Sequence, residues 1–144
     1  MKKRVIIPKT PKEAFAEAEL FYKNARETLA KSPVEFGIIY QKPKYVKEAS
    51  AMAYLAALRA IDGYLLSKGI APKNLPTSIG EYENAIMKIP QNGRVLAALA
   101  AVYQNLHIFG YYRGGVEVEM IKSGFNNARL IIDTLKKITN KKND

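Results

Sequence analysis

The chain contains no cysteine and a single histidine, His107, in 144 residues. Without thiols there is no disulfide framework, no thiolate nucleophile and no cysteine-ligated metal, which fits a reducing compartment. One imidazole cannot build a histidine metal cage. It also excludes a ferritin-like centre, which needs a Glu-x-x-His motif on each of two helices. Long apolar runs are missing as well. A membrane-spanning helix needs about 20 apolar residues, and the longest apolar helix here is interrupted by Arg59 and Asp62. Near the start, the apolar stretch of residues 5–7 ends at Pro8, too early for the core of an export signal. No Gly-x-Ser-x-Gly elbow or Gly-Lys-Ser/Thr phosphate loop is present. We therefore expect a cytoplasmic protein with no membrane partner, no metal and no cofactor.

What is present reads as one globular domain. The composition is 48% hydrophobic and 25% charged, and a chain of this size buries about 70% of its extended surface. The net charge of +10 creates a field that attracts polyanions, without choosing among RNA, DNA, acidic proteins and lipid headgroups.

Periodicity and capping signals divide the chain into about five helices. Thr10-Pro-Lys-Glu13 is a capping box with proline at the first helical position. It opens a helix over 11–31 that carries Ala14, Ala18, Phe21, Ala25 and Leu29 on one face. Residues 34–42 form an apolar connector, either a loop laid on the core or a ragged extra turn. Pro43 opens a second helix to Lys68, apolar on nearly every side and hence central, with Gly69 at its C-terminal cap. Ser78-Ile-Gly-Glu81 is a second capping box, and Pro90 stops the short helix that follows. Asn92 caps a fourth helix that ends near Gly110 or Tyr112. Ile121, Phe125, Ala128, Ile132 and Leu135 mark a fifth. No strand pair, hairpin signal or repeat is read. The expectation is an all-α compact antiparallel bundle over 11–138, with a basic N-terminal arm at 1–10 and a basic frayed tail at 139–144.

The segment from Ala53 to Ile70, AYLAALRAIDGYLLSKGI, resembles the second helix of prokaryotic HEPN domains. The likeness extends from Lys44-Tyr-Val-Lys-Glu-Ala49 through the helix capped at Ser78 to Val102-Tyr112, and points to an uncharacterised bacterial branch of HEPN-like proteins. The resemblance implies a helical bundle that often dimerises. It also implies a role as an RNase, as an inactive RNA or nucleotide binder, or as the partner of a nucleotidyltransferase in a toxin–antitoxin pair. Active members carry an arginine four to six residues before a histidine, at a dimer interface facing RNA. Here His107 precedes Arg113 by six residues, and Gln104 or Asn105 stands where the arginine belongs. The reversed order favours binding over cleavage.

Read from the residues alone, His107 lies about 100° from the centre of its helix's apolar stripe, stacked between Tyr103 and Tyr111 at i−4 and i+4. Beside Arg113 it could serve as a general acid–base with an anion clamp, or simply pack near a helix end. Gly110-Tyr-Tyr-Arg-Gly-Gly115 could form a backbone anion nest or an ordinary turn. Arg59 and Asp62 read as an i,i+3 ion pair that fixes packing or a dimer register. Basic residues gather at 2–4, at Lys42, Lys44 and Lys47, and at Lys136, Lys137, Lys141 and Lys142. Tyr40 and Tyr45 interleave the middle group, a phosphate-plus-stacking composition. Lys44, Lys47, Tyr111, Tyr112 and Arg113 are the candidate anion or RNA contacts. The leading expectation is a non-catalytic, homodimeric HEPN-like bundle that binds a protein partner or an anionic ligand such as RNA. The alternatives are a metal-independent RNase using His107 and Arg113, and a purely structural interaction module.

Overall fold

The computed structural model describes residues 7–141, so the basic run at 2–4 and Lys142 lie outside the described residues. Helix α1 (Pro11–Leu29) starts with the N-cap half of its capping box: Thr10 Oγ1 accepts from the Glu13 amide at 3.1 Å, while the Glu13 carboxylate reaches one residue further back and accepts from the Lys9 amide at 2.9 Å. It buries Ala14, Phe15, Ala18, Tyr22 and Ala25, and ends two residues short of the expected boundary.

The apolar connector is neither a plain loop nor an extra turn. It forms a small antiparallel hairpin, β1 (Val34–Glu35) and β2 (Ile39–Tyr40), with Val34 opposite Tyr40. This corrects the expectation of no strand pairs. Each strand is two residues long, too short for an alternation signal, and the turn is Phe36-Gly37, not the usual Asn-Gly. Both turn residues have positive φ, 54° and 71°. The Tyr40 amide donates to the Val116 carbonyl and the Val118 amide to the Ile38 carbonyl, each at 2.9 Å. These bonds tie the hairpin to the chain entering the last helix.

Helix α2 (Pro43–Ser67) is the axis of the bundle, with α1, α5 and the segment after α4 packed around it. Its buried alanines, including Ala49, Ala53, Ala56 and Ala60, let neighbouring backbones approach closely. Gly69, at φ 90°, turns the chain away beyond its end. A short 3₁₀ turn (Pro72–Asn74) leads to α3 (Ile79–Met87), where Ser78 Oγ accepts from the Glu81 amide at 3.2 Å. The Glu81 carboxylate in turn accepts from the Thr77 and Ser78 hydroxyls, which hold its pKa below the ordinary value.

Helix α4 (Gly93–Val102) continues directly into a π-helical segment, Tyr103–Tyr112. The sequence reading expected one α-helix ending near Gly110 or Tyr112. The end point agrees, but the hydrogen bonding widens to i−5, as in Arg113 N–H to Ile108 C=O at 2.8 Å. Asn92 makes no side-chain cap and instead donates back to the Ile89 carbonyl. Helix α5 (Val118–Lys141) buries Ile121, Phe125, Ala128, Ile132 and Leu135 as its periodicity requires. It continues past the expected fray to Lys141, because Ile138 packs on the core and Thr139 is buried.

The architecture is an all-α bundle of five helices with one small hairpin. Among the described residues no helix is long and apolar enough to cross a membrane. Runs of π-helix are rare and usually a single turn, so this one needs a local cause. Gly110 supplies part of it: a Cβ there would collide with Ser50 Oγ on α2 and come within 2.9 Å of Ile121 Cδ1 on α5. The wide helix presses its backbone between two neighbours at the one residue without a side chain. Gly110→Ala should therefore lower stability by about 1–3 kcal/mol, the cost of overpacking a well-filled site. A urea midpoint that falls with an unchanged slope would show this; an unmoved midpoint would mean the junction has slack.

Candidate functional site

The π segment carries a column of aromatic rings. His107 stacks on Tyr103 at 5.3 Å between centroids and faces Tyr111 at 6.0 Å, as the i±4 spacing predicts. From α2, Tyr54 stacks more closely still, at 4.7 Å. No local pattern announces this fourth ring, because only tertiary packing brings residue 54 against residue 107. Burial, with smaller contributions from Tyr103 and Glu83, pushes the Tyr54 pKa up to about 12. The Tyr54 hydroxyl thus stays protonated at any physiological pH. His107 is half-buried and hydrogen-bonds to no group among the described residues, so no carboxylate or carbonyl orients it as a general base.

The column ends at Tyr111, which is exposed, as is its chain neighbour Tyr112. The Arg113 guanidinium lies 5.4 Å from the Tyr112 ring centre. Lys47 folds its stem over Gly114, its Cε 3.0 Å from where a Cβ would sit. A little further along α2, Tyr45 lies between Lys31 and Lys44, whose ammonium groups are 5.7 and 5.9 Å from its ring. The structure thus brings Lys47 against the turn that follows Arg113, and Lys31 and Lys44 against Tyr45. No described carboxylate makes an ion pair with Lys31, Lys44, Lys47 or Arg113. Tyr40 does not join them: it is buried beneath the hairpin. The anion-nest reading also fails for two of its amides. Those of Arg113 and Gly115 close the helix end on Ile108 and Phe109.

Arg59 and Asp62 form the expected i,i+3 ion pair at 2.8 Å, and the structure adds two partners. Tyr82 on α3 donates to Asp62 at 2.9 Å, and Glu17 on α1 lies 2.9 Å from Arg59 Nε, off the N–H axis and so an ionic contact. Asp62 is 1% exposed. Its pKa is raised by burial, with the hydrogen bonds from Arg59 and Tyr82 opposing, and burial beside Asp62 raises that of Tyr82 far beyond a normal phenol. The pair thus fixes α1, α2 and α3 against one another within the chain.

A groove of about 1120 Å³ lies between α1, the hairpin and α5. Tyr22 and Phe125 close its floor, with ring centres 5.9 Å apart, and Arg26, Lys122 and Arg129 stand on its walls. Arg129 is engaged by Glu19 at 2.5 Å and Asp133 at 2.7 Å, whereas Arg26 and Lys122 have no ion-pair partner among the described residues. Sequence reasoning missed this site, whose walls come from segments a hundred residues apart. Among the described residues no cluster of His, Cys, Asp and Glu could hold a metal ion.

The fold is that of a small all-α bundle of five helices with one two-stranded hairpin. Residues 13–137 match the family described as a domain of unknown function, DUF5618, and the chain belongs to that family. Among solved structures it is similar to a protein of unknown function from Dyadobacter fermentans. The identity is 32% and the TM-score 0.75, over 89% of this chain and 98% of that one. No curated protein matches.

The buried carboxylate makes one test sharp. A folded pKa raised above the unfolded value of about 3.9 means stability is fully present below that value and lost as pH rises through the folded pKa. Arg59→Met raises the folded value further. Its cost should be about 3 kcal/mol at pH 7, the scale for stripping one partner from a buried pair, and should shrink towards pH 4. Denaturant titrations at both pH values check this. A deficit independent of pH would instead assign the loss to packing of the arginine stem.

Proposed function

We propose that the protein is a non-catalytic binding module whose aromatic and basic edge takes a single-stranded polyanion such as RNA. One observation carries the reading. A column of stacked rings, Tyr54, His107, Tyr103 and Tyr111, ends at exposed Tyr111; exposed Tyr112 and Arg113 follow in the chain and Lys47 lies over Gly114, and no described carboxylate forms an ion pair with either cation. Bases stack on exposed rings without sequence preference, while cations track the phosphates. The net charge of +10 steers such a ligand inwards. The reversed order of His107 and Arg113, and a histidine held between rings instead of against a carboxylate, support binding without cleavage. The HEPN-like resemblance of residues 53–70 adds a homodimer, a nucleotidyltransferase-type partner and a cytoplasmic setting, all of which rest on that resemblance alone.

Fluorescence anisotropy of labelled single-stranded RNA over a salt series tests the reading. Affinity should fall linearly in log salt, and Lys47→Ala or Arg113→Ala should each reduce the slope by about 1. Tyr111→Ala should weaken binding by about 1–3 kcal/mol at constant slope, as for loss of one stacking platform. RNA recovered after incubation should be intact. No binding at low salt would end the proposal, and RNA cut by the wild type but not by His107→Ala would replace it with the nuclease.

A further inference from the structure

The hairpin offers a second surface, unlike the first. Phe36 at its tip is 88% exposed and Ile38 62%, with Val34 and Ile39 also open to solvent. Phe36 is held at φ 54°, a left-handed conformation that bulky residues adopt only at a cost and that clusters at functional positions. The tip is nonetheless built firmly. The Ile38 amide closes the turn on the Glu35 carbonyl at 3.0 Å, and the base is clamped by Gln41 N–H to Pro33 C=O and Lys42 N–H to Ser32 Oγ, both 2.9 Å. A fixed, strained, fully exposed aromatic ring is not explained by packing within the chain.

Cations gather at the base of this hairpin. Lys31 and Lys42 stand just before and after the hairpin, Lys44 follows, and Arg26 and Lys122 share the groove that Val34 and Tyr40 line. The nearby carboxylates are fewer: Glu35 in the turn, Glu117 opposite Ile39, and Glu27, which lies 4.0 Å from Lys23. We propose that the hairpin tip inserts into the surface of an anionic lipid bilayer, with the surrounding lysines and arginines on the headgroups. From Pro33 to Phe36 the hairpin reaches about 10 Å, which matches the roughly 5–10 Å to which interfacial apolar groups sink. A second copy is disfavoured as the occupant, since two such collars would bring like charges together. A convex tip of four apolar side chains also falls short of the roughly 1,000 Å² a stable protein interface needs, whereas lipid envelops a finger from all sides. The expectation of no membrane partner rested on apolar run length, which bears on spanning a bilayer and not on touching one.

The full chain should sediment with phosphatidylcholine–phosphatidylglycerol vesicles at low salt and much less with phosphatidylcholine alone. Phe36→Gly should cut that partitioning about 10-fold, the scale for one buried aromatic side chain. Its melting temperature should hold or rise, because glycine accepts a positive φ freely. RNA binding should be unchanged in Phe36→Gly, which separates this proposal from the one above. The chain has no tryptophan, so Phe36→Trp places a unique reporter at the tip, and its emission should shift to the blue on adding anionic vesicles. Absence of sedimentation, or Phe36→Gly partitioning like wild type, would overturn the proposal. So would a tryptophan that stays in water with vesicles, or one that shifts only with protein concentration, the sign of a second copy.

Discussion

Everything in this bundle leans on α2. It is buried on most of its circumference, and from Ala49 to Ala60 its buried residues are five alanines and one serine. Small side chains allow neighbouring helices to sit at the near end of the usual separation of about 8–10 Å. That closeness is bought with apolar area: an alanine contributes far less burial than a leucine. The larger side chains are supplied from the other side of the core, by Leu99, Leu106, Ile121, Ile131, Ile132 and Leu135. At two places close approach becomes obligatory. Gly63 of α2 meets the Phe15 ring, where a Cβ would lie 2.8 Å from Cε2, and Gly110 meets Ser50.

An axis this featureless has a register problem. Alanine faces slide past one another with little change in contact, so apolar packing alone discriminates weakly between neighbouring registers. Asp62 resolves it by demanding particular partners. A buried carboxylate without Arg59 and Tyr82 would cost several kcal/mol; Arg59 reaches it from the same helix, but Tyr82 does so only when α3 is in place, and Glu17 meets Arg59 only when α1 is. The net contribution of such a cluster to stability is small, because desolvation offsets most of the attraction. Its effect is selective: wrong registers forfeit the Tyr82 hydrogen bond to Asp62 and the Glu17 contact to Arg59. On the opposite seam, Glu19, Arg129, Asp133 and Lys136 join α1 to α5 nearer solvent, where ion pairs contribute little.

Legibility in the sequence followed the range of the interactions. Both N-cap bonds are local, three residues across, and the structure has them where Thr10 and Ser78 stand. The His107 stack is readable because i±4 neighbours meet on any helix of about this pitch. Tyr54 is not, since nothing near residue 54 refers to residue 107. The hairpin escaped because Phe36 sits in a conformation that its residue type argues against, and its neighbours offer too few residues to alternate. The π segment escaped for a different reason. The same residue types serve an α-helix and a π-helix, so composition does not distinguish the two forms, and part of the cause lies in the tertiary partners of Gly110.

The two exposed surfaces are not independent patches of charge. Lys31 and Lys44 flank Tyr45 on the edge that leads to Arg113, and the same two lysines stand beside the base of the hairpin. The backbone bonds from Ile38 and Tyr40 to residues 116–118 fix the tip relative to the end of the π segment. The distinguishing chemistry therefore lies in what accompanies the cations. Rings stacked face to face at the π segment suit flat bases, and one isolated phenyl ring with aliphatic neighbours at the hairpin suits hydrocarbon. A polyanion on the first surface and a lipid headgroup layer on the second would draw on the same lysines, which makes simultaneous occupation electrostatically costly. On both proposals the net charge would draw the protein towards polyanions of either kind, and the shape of the apolar groups between the lysines would decide which kind it holds.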